Sequence, residues 1–313
     1  AIDVKKIAGL EENIAMAFFN KGNFVEAVHY FERSLRNKGV KIRTNPLLLV
    51  TELTLNLLSI IRYLYLPNFA PKKAPSEADN RIMKVKFKLA MALAYVDINR
   101  VFLDNIRLVP QAFKFDIQKA PVYLDVLIGG SALFAVTGLS FKLSKKILNY
   151  VADLISRRDG RATMPANFFR FIESMYNCLT GQWHHKVNDE FVENALRVGD
   201  LVNASGFLVW LGYAKIERGD LGEAQKVIQM LKDIGSRYNF EHATLDYCYL
   251  SCKLAMINGE LKRAQRFIDD GITLLDKFGL DIHKVGFLGV KAKILIWQND
   301  FNSAQKILGE ADD

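Results

Sequence analysis

Apolar positions recur every three to four residues over most of the chain, and no segment alternates with the period of two that a half-buried strand requires. The rhythm predicts helices arranged as pairs: Asp3–Asn20 with Phe24–Asn37, Ala204–Arg218 with Leu221–Tyr238, Glu241–Asn258 with Leu261–Phe278, and Ile282–Gln298 with Phe301–Ala311. In the centre, Pro121–Thr137 pairs with Phe141–Arg157, and Pro165–Leu179 with Asn188–Val202. A long apolar helix is expected over Leu47–Tyr65 and another from about Ala78 to Ile98. Between them Pro67, Pro71 and Pro75 exclude a continuous helix, because proline lacks the amide hydrogen and restricts the residue before it.

A short pattern marks the bend of each pair: Gly or Asn, one residue, an apolar residue, two residues, then Ala. It reads Gly22-Asn-Phe24-Val-Glu-Ala27, Gly219-Asp-Leu221-Gly-Glu-Ala224, Gly259-Glu-Leu261-Lys-Arg-Ala264 and Asn299-Asp-Phe301-Asn-Ser-Ala304. Gly181-Gln-Trp183 is a degenerate copy, with Lys186 where Ala is expected, and Gly138 begins a weaker one. Positions 138, 181, 219, 259 and 299 step by 43, 38, 40 and 40, and Asn99 fits one step earlier. Gly and Asn tolerate the left-handed backbone that ends a helix tightly. The Asp, Asn or Glu that follows favours the free N–H groups of the next helix. A second small residue is expected seven positions before each bend, where the first helix meets its partner. The sequence supplies Ala15, Ala92, Ser131, Ser174, Gly212, Cys252 and Ala292 there. Hairpins of this kind cannot bury their faces alone, so the expected fold is all-α, a superhelical array of stacked antiparallel pairs with a period of about 40. The expected organisation is N-terminal helices over 1–66, a Pro-rich loop over 67–77 and the main array over 78–313.

Composition narrows this further. Half of the 313 residues are apolar, enough for a large core and too many for a disordered chain. Only 7 Pro and 20 Gly are present, which argues against a turn-rich all-β fold. Three Cys cannot close a disulfide framework, so a reducing, cytoplasmic setting is expected. The chain opens on Ala1 with no basic-then-apolar leader, which suggests processing or a piece of a longer protein. Residues 1–161 hold 25 Lys/Arg against 14 Asp/Glu and residues 162–313 hold 17 against 20, so the net +8 lies in the first half. These cations are spaced as solvated helix faces require, and no nucleic-acid reader motif accompanies them, so no nucleic-acid partner is expected. The most apolar run, Val126 to Phe141, is shorter than the ~20 residues of a membrane span and contains Gly129, Gly130 and Gly138. It reads as a buried helix, and no membrane contact is expected.

Candidate chemistry is thin. Trp183-His184-His185 with Asp189 and Glu190 is the most tempting cluster, but adjacent His side chains diverge and a zinc site needs three or four converging ligands. Cys248 and Cys252 share a helix face without a Cys-x-x-Cys motif. Ser140 and Ser205 lie in no nucleophile elbow. The carboxylate pairs Glu11-Glu12 and Asp269-Asp270 fall on expected helix surfaces. No phosphate-binding Gly-x-x-x-x-Gly-Lys loop occurs. The expectation is a protein without catalytic activity, metal or cofactor.

The Gly-x-aromatic-x-x-Ala bend, with its small residue seven before, resembles the tetratricopeptide repeat. Residues 8–41 match through Ile14, Ala15, Phe18, Gly22, Phe24, Ala27 and Phe31, and residues 205–237 through Leu211, Gly212, Gly219, Leu221, Ala224 and Ile228. The closing Pro of that repeat is absent, and the step is nearer 40 than the usual ~34. The longer step, the Tyr-Leu-Tyr-Leu-Pro break and the later Gly-Gln-Trp and Arg-Val-Gly-Asp-Leu segments are similar to the C-terminal helical arrays of bacterial multidomain signal-transduction ATPases. That resemblance implies a sensing or interaction domain beside an ATPase or output domain in the same polypeptide, whose acidic face the basic half would meet. It also implies that exposed groove positions lie about 10, 6 and 3 residues before each bend. Counting back gives Phe171, Met175 and Cys178; Val209, Tyr213 and Ile216; Tyr249, Lys253 and Met256; and Gly289, Lys293 and Ile296. The anchors expected from this set are Phe171, Met175, Val209, Tyr213, Tyr249, Lys253, Met256 and Lys293. An aromatic and Met-rich lining suits a protein or peptide partner, or a small apolar ligand. The competing reading is that these positions are ordinary core. Two other readings stand beside the signalling one: a stand-alone scaffold, and an enzyme with a pocket in residues 121–202.

Overall fold

The computed structural model describes residues 4–40, 46–66, 73–117, 121–156, 164–183, 190–278 and 281–312. These residues form helices and no strand; the one extended contact is a bridge between Lys73 and Phe115. Packing divides the chain into two units, Ala1–Thr180 and Gly181–Asp313. The first holds α1 (Val4–Asn20), α2 (Phe24–Asn37), α3 (Pro46–Tyr65), α4 (Glu77–Leu93), α5 (Ile98–Phe113), α6 (Val122–Val136), α7 (Phe141–Ser156) and α8 (Met164–Leu179). The second holds α9 (Glu190–Arg197), α10 (Leu201–Glu217), α11 (Leu221–Tyr238), α12 (Glu241–Ile257), α13 (Leu261–Phe278), α14 (Asp281–Trp297) and α15 (Phe301–Asp312).

The bends fall where the Gly and Asn pattern places them. Gly22, Gly138, Gly181, Gly219, Gly259 and Asn299 all have positive φ, the left-handed region that closes a helix without a Cβ clash at Gly. The small-residue column is buried at every step. Ala15, Ser131 and Cys252 have no exposed surface, and a Cβ on Gly212 would lie 2.5 Å from Leu250 of α12. On the second helices Ala27, Ala224 and Ala264 are likewise sealed.

The weak copy at Gly138 carries one extra residue before its helix. Phe141 opens α7, and Ser144 takes the place of Ala. Ser144 Oγ donates to the Ser131 carbonyl at 2.9 Å, so two hydroxyls do polar work where other pairs use bare contact. The capping expectation holds only in part. Asp300 accepts from the Ser303 amide at 3.1 Å, whereas Asn23 and Asp220 make no side-chain cap.

Three boundaries correct the sequence reading. The helix from Ala78 does not reach Ile98. It ends at Leu93, and a Gly-free bend over 94–97 follows, with Tyr95 stacked on Phe24 at 4.2 Å. Asn99 is therefore inside a helix, α5, which had not been expected. Asp97 starts it by accepting from the Arg100 amide, and Pro110 near its end forfeits one backbone bond. The expected helix over 188–202 is two helices, because Gly199 (φ +73°) ends α9 and Leu201 begins α10.

In the first unit α6 is the hub, packed by α4, α5, α7 and α8. The apolar run is a buried helix only over Val126–Ala135; Val136, Leu139 and Phe141 are exposed around the bend, and no helix among the described residues is long and apolar enough to cross a membrane. A Cβ on Gly130 would sit 2.2 Å from Val109 Cγ2 of α5, so bare backbone is required there. α2 packs on α4 and α3 on α5, which ties the N-terminal helices to the rest of that unit. Part of the basic excess is neutralised locally: Arg33 pairs with Glu11, Lys38 with Glu12, Arg107 with Glu52 and Arg100 with Glu32.

Gly130→Ala should lower stability by about 1–3 kcal/mol through overpacking, measured by urea unfolding, and Val109→Ala should recover part of that loss in the double variant. Strict additivity of the two losses would contradict the close approach of α5 and α6.

Candidate functional site

In the second unit each helix packs on its successor from α10 to α15, and α10 also touches α12 directly. The first helices α10 and α12 thus stand side by side, α14 meets α12 through Phe287 and Ile294, and α11 and α13 pack between them in sequence. On α12 the residues turned to those second helices are apolar: Leu245, Cys248, Cys252 and Ala255 pack with Ala264, Ile268 and Leu275. Helical spacing leaves a stripe at 242, 246, 249 and 253 on the opposite side. The 40-residue step repeats it as 206, 209 and 213 on α10 and as 286, 289 and 293 on α14.

The expected anchors of this unit meet along that stripe. Lys253 Nζ sits 3.6 Å from the centre of the Tyr213 ring and 3.2 Å from Glu217 Oε1, joining α12 to α10. Trp210 lies against Tyr213 at 6.2 Å. Tyr249 meets Phe287 of α14 at 5.5 Å, and burial raises the pKa of its phenol. Lys293 is exposed and lies over the Trp297 ring at 5.1 Å. Val209 is half-buried. Met256 is buried, so it belongs to the core rather than to the open surface. The remaining anchors lie in the first unit, where Met175 is buried and Phe171 half-buried on α8.

Sequence reasoning missed Asp246. Counting back stopped ten residues before the bend, and Asp246 is thirteen before Gly259, one helical turn further. It is half-buried, and burial pushes its carboxyl up to about 8. Among the described residues no cation pairs with it. His242, a turn away, is pushed down to about 3 by burial and by the neighbouring His283, whose ring lies 6.2 Å from it. His283 is lowered by burial as well. Both rings are therefore neutral at physiological pH and supply no positive charge to Asp246. The signal available in the sequence was a single acidic residue in a stripe whose other members are aromatic, small, apolar or basic.

The other candidates are structural or undescribed. His184, His185 and Asp189 lie outside the described residues; among those described, no three His, Cys, Asp or Glu gather as metal ligands. Glu11 and Glu12 are held by Arg33, Asn37 and Lys38, and Asp269 by Lys291 and Gln265, so these carboxylates are compensated. Cys178, Cys248 and Cys252 are buried and form no disulfide, and burial pushes the Cys248 and Cys252 thiols up to about 12, which keeps them protonated and unreactive.

No family model matches the chain, and no curated protein matches it either. Among solved structures, the crystal structure of a Rap protein complexed with competence and sporulation factor aligns with a TM-score of 0.51 at 11% identity, covering 97% of each chain. The fold is a tetratricopeptide-like helical repeat. The match runs the length of both chains, while identity this low speaks to fold alone.

Two outcomes follow from the buried groups. The Asp246 carboxyl ionises near 3.8 when unfolded and near 8 when folded, so between those values ionisation favours the unfolded chain. Asp246→Asn should therefore melt close to wild type at pH 4 and at least about 3 °C higher at pH 8, by calorimetry. A gap that is flat with pH would contradict the burial of that charge. Cys248 and Cys252 should react with a chromogenic thiol reagent at pH 8 only after denaturation; rapid labelling of either in the native protein would contradict their sealing.

Proposed function

We propose that the chain is a peptide-binding module without catalytic activity, and that its peptide lies across the stripe of α10, α12 and α14. The observation that carries this is the stripe itself. Tyr213, Tyr249, Trp210 and Val209 remain partly accessible on a face that the second helices leave uncovered, beside fixed charges at Lys253 and Glu217. Rigid aromatic rings give large contact area at low entropic cost, and the engaged Lys253 keeps the Tyr213 ring in place. The Rap protein of similar fold was crystallised with competence and sporulation factor, which supports a binding role for this architecture.

We extend this reading to a cytoplasmic sensing module within a larger signalling ATPase. A peptide held better by one state of the array biases the neighbouring domain toward that state. The basic excess of residues 1–161 docks on an acidic face of that domain, an attachment that weakens as salt rises. A native gene product of 35.5 kDa, the mass of this chain, would instead mark a stand-alone adaptor.

Immobilised protein exposed to a pooled library of synthetic heptapeptides should retain a defined subset. Tyr213→Ala and Tyr249→Ala, each shown to be folded by circular dichroism, should lower retention about tenfold. Failure of the folded wild type to retain any peptide, or equal retention by all three proteins, would overturn the assignment.

A further inference from the structure

We infer that Asp246 reads a positively charged group on the bound peptide, a lysine or arginine side chain or the N-terminal ammonium. This rests on the peptide-binding reading above and adds to it a chemical class of ligand.

The first argument is that half-buried Asp246 has no hydrogen-bond or ionic partner among the described residues, whereas other carboxylates of its unit do. Asp269 is held by Lys291 and Gln265, Asp200 accepts from Asn203 at 2.8 Å, and Glu217 is held by Lys253. Asp246 has no such cation among the described residues, and the two imidazoles on its side of the fold are neutral. An enclosed carboxylate without a counter-charge costs stability, and an apolar residue at that position would serve packing better. A partner that arrives from outside supplies the missing charge.

The second argument is space. At the position corresponding to Asp246, α10 carries Gly206 and α14 carries Gly286. Gly286 and Gly289 are exposed, and a Cβ on either would meet no atom within 4 Å. The repeat register thus leaves unfilled room at the matching positions of α14, and Tyr249, one turn further along α12 from Asp246, offers an aromatic ring to an aliphatic stem or a cation.

The third argument is charge. The unit Gly181–Asp313 carries 16 Lys/Arg against 19 Asp/Glu, a net −3 that attracts a cationic peptide. Lys253 and Lys293 occupy the far end of the stripe, about seven residues or ~10 Å along the helices from Asp246. They repel a basic group there and leave the Asp246 end as the place it settles.

The test uses three heptapeptide pools of equal apolar content: N-acetylated with one arginine or lysine, N-acetylated with norleucine in its place, and norleucine with a free amine. Wild type should retain the basic pool, the free-amine pool or both about tenfold more than the acetylated norleucine pool, and which one it keeps names the source of the cation. Asp246→Asn should lose that preference while still retaining apolar peptides and melting higher than wild type at pH 8, a combination that a merely structural carboxylate would not give. Retention of peptides by wild type without charge preference, or an undiminished preference in Asp246→Asn, would overturn this inference and leave the peptide-binding reading standing. No retention of any pool by wild type would overturn both.

Discussion

Two helices of a hairpin can touch along their length only where one of them presents almost nothing beyond its backbone. The column of Ala15, Ala92, Ser131, Ser174, Gly212, Cys252 and Ala292 meets that condition, and all but Gly212 can be compared directly as buried side chains. At Gly212 a methyl group would press on Val227 of the partner helix α11 at 3.3 Å and overlap Leu250 of the next hairpin at 2.5 Å. The Ser131 hydroxyl is satisfied there by Ser144. Except after Ala92, a left-handed residue seven positions later then turns the chain back, and the second helix has one place to go.

That constraint also decides where function can sit. Because α11 and α13 occupy one side of α12, the side bearing Asp246, Tyr249 and Lys253 is left to other neighbours. α10 and α14 supply those neighbours only in part: Tyr213 and Glu217 reach Lys253, Phe287 reaches Tyr249, and the positions that match Asp246 in the repeat are glycines. The result is a surface with its aromatic rings fixed and one carboxylate uncompensated. Fixed rings and a carboxyl that an incoming cation would ionise suit recognition, since little has to be ordered when a ligand arrives.

The bends were legible in the sequence because a left-handed residue restricts chemistry to Gly and Asn. Where the bend has another solution, that legibility fails. Residues 94–97 turn without Gly, and Tyr95 is anchored by Phe24 from a distant helix, a contact no local pattern announces. The break between α9 and α10 was legible in principle, since Gly199-Asp200-Leu201 repeats Gly219-Asp220-Leu221, but the apolar rhythm runs across it unbroken. The site was read less well than the fold. Periodicity gives the face of a helix but not the depth at each height, so Met256 shares a stripe with Tyr213 and Tyr249 yet is buried, and Met175 is buried within its own unit. Asp246 escaped because the stripe was followed over too few turns, and because burial of a charge is a tertiary property.

Hydrogen exchange of the whole protein, with and without a retained peptide, tests the central claim most directly. The account predicts slowed exchange in α10, α12 and α14, centred on 246–253, with α11, α13 and α15 unchanged. Protection confined to the second helices, or to segments outside 201–297, would contradict it.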